Sequence, residues 1–392
     1  MSAKSVFVVF LKLGLTSFGG PIAHLGYFRQ EFVERRRWLD EASYADLVAL
    51  CNFLPGPASS QVGIALGISQ AGLLGGIAAW LGFTLPSALA LIAFAYGFET
   101  FGLTADAGWL HGLKIVAVAV IAQAIWGMGK ALCPDRFRAT LAMAATLIVF
   151  AWPTAIGQLV AIATGALIGW WYLTPIALQA PPALKLPIRH GAAVTAWILF
   201  WGLLMLLPTL ALNTQSQVFA LIDSFYRTGA LVFGGGHVVL PLLRNEVVPP
   251  GWVSDSVFLA GYGAAQAIPG PLFTFAAYLG AVMSPKPNGF WGGMLCLVAI
   301  FLPSFLLLVG ALPYWDALRH RTAIQSALRG VNAAVVGILL AALYNPVWVS
   351  SIHSSKDMAL ALVAFGLLMF WKMSPLYVVI ITAAGGAALA LL

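Results

Sequence analysis

Charge is what this sequence has least of. Only 8% of its 392 residues are Asp, Glu, Lys or Arg, and just 13 are acidic. An ordinary soluble domain carries about 25% charged residues. Set against a hydrophobic content of 61%, that shortage excludes a soluble globular protein and leaves an all-α polytopic membrane protein. Cysteine is nearly as scarce. Cys51, Cys133 and Cys296 stand far apart, with no CxxC or His-partnered spacing. They form neither a disulfide framework nor a metal site, and no cofactor is expected. The N-terminus lacks the basic region, short apolar region and small-residue cleavage site of a signal peptide, so the first apolar segment is expected to be retained. No Ser-His or Cys-His pair recurs at related positions and no acidic cluster offers to hold a metal, which argues against an enzyme. The 20 basic residues leave a net charge of +7. In a membrane chain this reads first as topology and attraction to anionic headgroups, and no nucleic-acid partner is expected.

What is there is a long stretch that occurs twice. FLKLGLTSFGGP, a basic turn and CNFLPGP run from Phe10 to Pro57; FYRTGALVFGGGH, a turn and AQAIPGP run from Phe225 to Pro271. One offset pairs Gly14 with Gly229, Gly19-Gly20 with Gly234-Gly235, Lys12 with Arg227, Arg29 with Arg244 and Glu31 with Glu246. One residue of slippage pairs Pro55-Gly56-Pro57 with Pro269-Gly270-Pro271. Leu85-Pro86-Ser87 matches Leu302-Pro303-Ser304, and Lys114 matches Arg329. Internal duplication sets architecture. The expected units are a first repeat at 1–174, a linker with an extra membrane helix at 175–215, and a second repeat at 216–392.

A membrane-spanning helix needs about 20 apolar residues. The segments expected are 5–23, 42–66, 72–98, 109–131, 139–152 and 154–174, an isolated one at 191–211, then 217–240, 256–282, 289–313, 325–344, 357–371 and 374–392. The six-one-six count starts the second copy on the opposite side of the membrane. It predicts two inverted repeats with a site near midplane at their interface. Basic residues leave the orientation of the N-terminus open, because Arg35-Arg36-Arg37 has an uncharged counterpart in Val248-Pro249-Pro250.

Proline inside a helix costs about 3 kcal/mol, and in lipid the freed backbone groups need protein or water partners. Each Pro-Gly-Pro is therefore expected to break its segment into half-helices, the second opening with free amides near Ser59 in the first copy. Helix N-termini of this kind bind anions. Asn52 and Gln266 precede the two breaks. A kink without a ligand is the plainer reading of one proline, but two matched breaks favour a binding role. Gly19, Gly20, Gly234 and Gly235 suit either an anion nest or close helix packing. Lys12 and Arg227, deep in their segments, point to a path for an anion, since charge inside apolar segments is costly. Lys114 and Arg329, nearer segment ends, have an equal claim to snorkelling; Arg29 and Arg244 are weaker candidates. Glu31, Glu246, Asp46 and His237 are the groups available to carry a coupled proton. For the two glutamates a structural ion pair is the simpler role. So few acids within the apolar segments predicts transport driven chiefly by membrane potential.

These motifs together, FLKLGLTSFGGP…LPGP and FGGGH…IPGP, resemble the signature of the chromate ion transporter family over nearly the whole chain. The resemblance implies a multi-pass carrier in a bacterial inner membrane that expels chromate and confers resistance to it, by alternating access with a cationic site between oppositely oriented halves. Sulfate is the isosteric dianion, and a sulfate carrier is the alternative. An oxyanion channel, or a membrane enzyme acting on a lipid phosphate, are the readings from other classes. The expected partners are the oxyanion and the lipid bilayer, with a homodimer left open.

Overall fold

The structure, a computed structural model, describes residues 1–17, 20–100, 108–173, 188–233, 238–315 and 321–390, without the side chains of residues 22, 98–100 and 155. Gly19, Gly234, Gly235 and His237 lie outside the described residues.

Among the described residues the chain is helical, with no β-strand. The first half runs α1 (Ala3–Thr16), α2 (Gly20–Arg29) continued by a π-helical turn (Gln30–Arg35), α3 (Glu41–Phe53), α4 (Ala58–Thr100), α5 (Gly108–Leu132), α6 (Arg136–Ala151) and α7 (Ala155–Tyr172). After α8 (His190–Thr214) come α9 (Gln217–Leu231), α10 (Val239–Val247), α11 (Asp255–Ala265), a 3-10 turn (Leu272–Thr274) leading into α12 (Phe275–Val282), α13 (Gly289–Ala311), α14 (Thr322–Ala342), α15 (Ser355–Met369) and α16 (Pro375–Leu389). The order of elements repeats, with α4 answering to α12 and α13 together. α4 is itself a hairpin, because Ala71 and Gly72 leave helical geometry with φ −146° and +62°. Its arms cross at Gly67 and Gly75, and α12 crosses α13 at Gly280 and Gly292. In each pair a methyl group on one glycine would overlap the carbonyl of the other.

The helices start where short polar side chains satisfy first-turn amides. Asp40, Asp135 and Thr154 cap α3, α6 and α7, and Ser354 forms a capping box with Asp357 at α15. Five described stretches are long and apolar enough to cross a membrane: Ala58–Gly97, Gly108–Leu132, His190–Thr214, Gly289–Tyr314 and Thr322–Ser351. α6 and α15, with 16 and 15 residues, reach only about 24 Å at 1.5 Å per residue. That is short of the roughly 30 Å hydrocarbon core.

The halves interlock. α5 packs on α11, α15 and α16 of the second half, while α14 packs on α6 and α7 of the first. Gly112 sits against Thr382, and Gly330 against Gly165 and Gly169. Each half thus completes its core with the other's helices.

Candidate functional site

The two Pro-Gly-Pro segments lie where the halves meet. α3 stops at Phe53, and the chain turns through Gly56 at φ +118° before α4 begins at Ala58. In the second half, Gly270 follows α11 at φ +109°. That backbone region favours glycine. Each glycine is also pinned by the opposite half. Gly56 donates its N–H to the Val232 carbonyl at the end of α9 (2.7 Å), and Gly270 donates to the Ser17 carbonyl at the end of α1 (3.0 Å). A Cβ on Gly56 would come within 2.5 Å of Ser304 Oγ, and one on Gly270 within 2.8 Å of Ser87 Oγ. Ser304 and Ser87 are the serines of the matched Leu-Pro-Ser triplets. Each break therefore joins one half's Pro-Gly-Pro turn to the other half's first helix and Leu-Pro-Ser helix.

Polar atoms concentrate here. Ser17 Oγ, Ser60 Oγ, Gln61 Oε1, Thr84 Oγ1 and Ser304 Oγ are buried without a hydrogen-bond partner among the described residues. His24 is buried on α2, with Nδ1 3.4 Å from Ser59 Oγ and its ring edge-on to Phe83. Gln61 turns its amide to the Pro55 carbonyl at 2.8 Å. A buried polar group left unsatisfied costs about 1–3 kcal/mol. Several such groups around two matched turns make a surface suited to a polar guest. A cavity of about 60 Å³ opens at the second break, lined by Gly20, Pro21, Gln123, Gln266, Gly270 and Pro375 among others. It has room for a few waters or one small polyatomic ion.

The structure thus gathers Gly20, Gly56, Ser59, Gln266, Gly270 and the flanking prolines. Asn52 is exposed, unlike its counterpart Gln266. The charged residues stand around this centre. Lys12 is exposed on α1 and forms no ion pair among the described residues. Arg227 is bound to Glu246 at 2.7 Å and Asp223 at 3.2 Å. Arg29 pairs with Glu34 and Glu41, and Arg244 takes Asp255 at 2.7 Å. Glu41 and Asp255 are matched positions, so this pair is a duplicated strut. Glu31 is held by Arg35 and Arg36. Burial opposes its ionisation, but hydrogen bonds from the two arginines outweigh it and keep Glu31 below the usual carboxylate range. Asp46 is buried and accepts from Trp315 Nε1 at 2.9 Å. Lys114 is buried on α5, nine positions before Gln123 and so about 13 Å along the axis. Arg329 faces the turn that carries Asp135 and Arg138.

Sequence reading missed Ser17, His24, Gln61, Ser87, Gln123 and Ser304. The two serines of the Leu-Pro-Ser triplets carried a signal in the repeat itself. Gln123 and His24 carried none, because Ile338 and Val239 occupy the matching places.

A family model described as chromate transporter matches residues 4–170 and 219–389. The chain is 30% identical to a chromate transport protein of Pseudomonas aeruginosa, over 98% of this chain and 91% of that one. It is 29% identical to a probable chromate transport protein of Synechococcus elongatus (98% and 95% covered). It is also 29% identical to a chromate transport protein of Cupriavidus metallidurans (94% and 88% covered). No solved structure matches the chain. With a duplicated helical architecture matched across both halves, this chain belongs to the chromate transporter family.

Proposed function

We propose that the chain carries a small tetrahedral oxyanion, chromate foremost, out across a bacterial inner membrane by alternating access, and so confers chromate resistance. The two halves are read as inverted repeats, from the six-one-six order of apolar segments. The oxyanion is held between them, at the two Pro-Gly-Pro breaks. The observation that carries this reading is the set of buried hydroxyl and amide groups, drawn from both halves, around Gly56 and Gly270. The first turn of α4, with Ser59 and Ser60 beside its free amides, supplies further donors to an anion. Lys12, Lys114 and Arg329 provide positive potential around the path rather than direct ligands.

Neutral donors inside a low-dielectric site bind a dianion without burying a compensating ion pair. Rocking of one half against the other would break Gly56–Val232 and Gly270–Ser17 contacts in turn and expose the centre to alternate sides. Sulfate, of the same shape and charge, is the second reading. Uptake of labelled chromate and of labelled sulfate into inverted vesicles, each competing with the other, tests both. Saturable chromate uptake above vesicles lacking the chain is expected. Its absence would overturn the chromate reading, and sulfate uptake untouched by chromate would replace it.

A further inference from the structure

The second half contains an acid-rich cluster that the oxyanion site does not use. Nη2 of Arg227 lies 2.7 Å from Glu246 Oε2 and 3.2 Å from Asp223 Oδ2, so one nitrogen serves two carboxylates. Their side chains retain only 14% and 11% of their exposure. Ser224 adds a hydrogen bond to Glu246. One guanidinium neutralises one carboxylate, so with both acids ionised the cluster holds an uncompensated negative charge. Like charges sharing a partly buried site do not both ionise readily, and the pair titrates as a unit.

Nothing nearby among the described residues supplies a second cation. Among the described residues, α8 and α13, which pack on α9, carry no Asp, Glu, Lys or Arg; their titratable groups are His190 and Cys296. α10 brings Arg244, already engaged by Asp255. Of the helices packed on α10, α7 carries only Tyr172 and α14 carries Arg329, which faces Asp135 and Arg138 instead. The charges acting on Glu246 are Arg227 and Asp223. The first half has no equivalent. Val8 stands at the place of Asp223, and Glu31 is satisfied by Arg35 and Arg36.

We infer that Asp223 and Glu246 share one proton around Arg227, and that this is a proton moved during the transport cycle. The cluster is mechanically connected to the oxyanion centre. α9 carries Asp223 and Arg227 and ends at Val232, whose carbonyl receives the Gly56 amide. Arg227 and Val232 are five positions apart, about 7.5 Å along the axis. Loss of the proton strengthens the pull of two carboxylates on Arg227 and changes the load on the helix that closes the first break. The role in transport rests on the carrier reading above; the existence of the site does not.

The test has two arms. Purified full-length protein in detergent, with no oxyanion present, is titrated by infrared difference spectroscopy between about pH 5 and 8, above the ordinary carboxylate range. A protonated-carboxyl band that titrates in the wild type and is lost in D223N and in E246Q is expected. A wild type without such a band, or both variants retaining it, overturns the site. Because the wild-type titration stands alone, failure of the variants to insert leaves the site testable. In the second arm, proteoliposomes at zero potential carry labelled chromate under an imposed pH gradient. A wild-type response reduced at least tenfold in both variants is expected. Variants with the full response overturn the coupling role. A chain that carries no chromate at all in the second arm defeats the carrier reading and, with it, the coupling role, while the titration still decides the site.

Discussion

The amide of Gly56 donates to the carbonyl of Val232 across 2.7 Å, and these two residues belong to different halves of the chain. The matched Gly270–Ser17 bond, at 3.0 Å, makes the relationship reciprocal. Each Pro-Gly-Pro turn is held open by the end of the other half's first helix. A change at either turn is therefore felt in both halves.

Gly56→Ala should abolish chromate uptake and lower the yield of folded protein. Its φ of +118° strains any L side chain, and its Cβ would lie 2.5 Å from Ser304 Oγ and 3.4 Å from Ser304 Cβ. Strained backbone of this kind costs about 1–3 kcal/mol, and the overlap adds to it. Adding Ser304→Ala removes the hydroxyl contact but not the strain. The double variant should regain yield and remain less stable than wild type, as thermal unfolding in detergent would report. Full recovery would mean that the backbone strain contributes nothing.

The duplication was legible because its markers are glycine and proline, whose roles at turns and close crossings permit few substitutes. Gly14 and Gly229 illustrate this: each lies against a backbone carbonyl of its own half, at Gly82–Phe83 and at Ile300. The interlock was not legible. Gly112 against Thr382 is a contact between distant helices with no period or motif to announce it. Nor was the identity of the donors at the breaks legible. Serine, threonine and glutamine in an apolar helix look alike whether they face lipid, backbone or a cavity, and only the fold tells these apart. The intramembrane cations drew attention by their cost in lipid, but cost does not reveal partners. Asp223, four residues before Arg227 on α9, was the available signal.

Gln266→Leu and Gln123→Leu should weaken chromate without unfolding the protein. Both side chains line the 60 Å³ cavity, and both make hydrogen bonds, at 3.5 and 3.2 Å, to backbone carbonyls. Removing a donor to a buried anion costs about 1.5–3 kcal/mol, or roughly a 10- to 100-fold rise in the half-saturating chromate concentration at 1.4 kcal/mol per decade. Concentration-dependent uptake in vesicles measures it. An unchanged half-saturation in both variants would move the substrate elsewhere.

Lys12 and Arg227 occupy matched positions but should respond differently. Lys12→Gln removes a cation with no ion-pair partner among the described residues, so uptake should fall while thermal stability stays within about 0.5 kcal/mol of wild type. Arg227→Gln strands Asp223 and Glu246 together and should destabilise by about 1–3 kcal/mol. Arg227→Gln with Glu246→Gln removes one of the stranded acids and should recover part of that loss. Equal stability of the two single variants would contradict the distinction drawn here.

Glu31 sets a pH limit at the basic turn. Its folded-state pKa lies below its ordinary value of 4.5. The stability it contributes is therefore present above that value and is lost as pH falls through the folded pKa. Thermal unfolding should show wild type losing stability below about pH 4.5 faster than Glu31→Gln, with the two curves parallel at neutral pH. Curves parallel throughout the acid range would mean that Arg35 and Arg36 do not stabilise the ionised form.

Membrane potential should dominate transport even though a proton takes part. Moving a dianion out and one proton in carries three charges down an inside-negative potential. At about 2.3 kcal/mol per charge per 100 mV, that is roughly 7 kcal/mol, whereas one pH unit supplies about 1.4 kcal/mol per proton. Chromate flux in proteoliposomes should therefore follow an imposed potassium diffusion potential at constant pH. One unit of pH gradient at zero potential should give a much smaller response. Flux indifferent to the potential and governed by the pH gradient alone would require electroneutral co-transport, with two protons travelling in the same direction as each dianion. Asp223 and Glu246 would then both have to lose and regain a proton in every cycle.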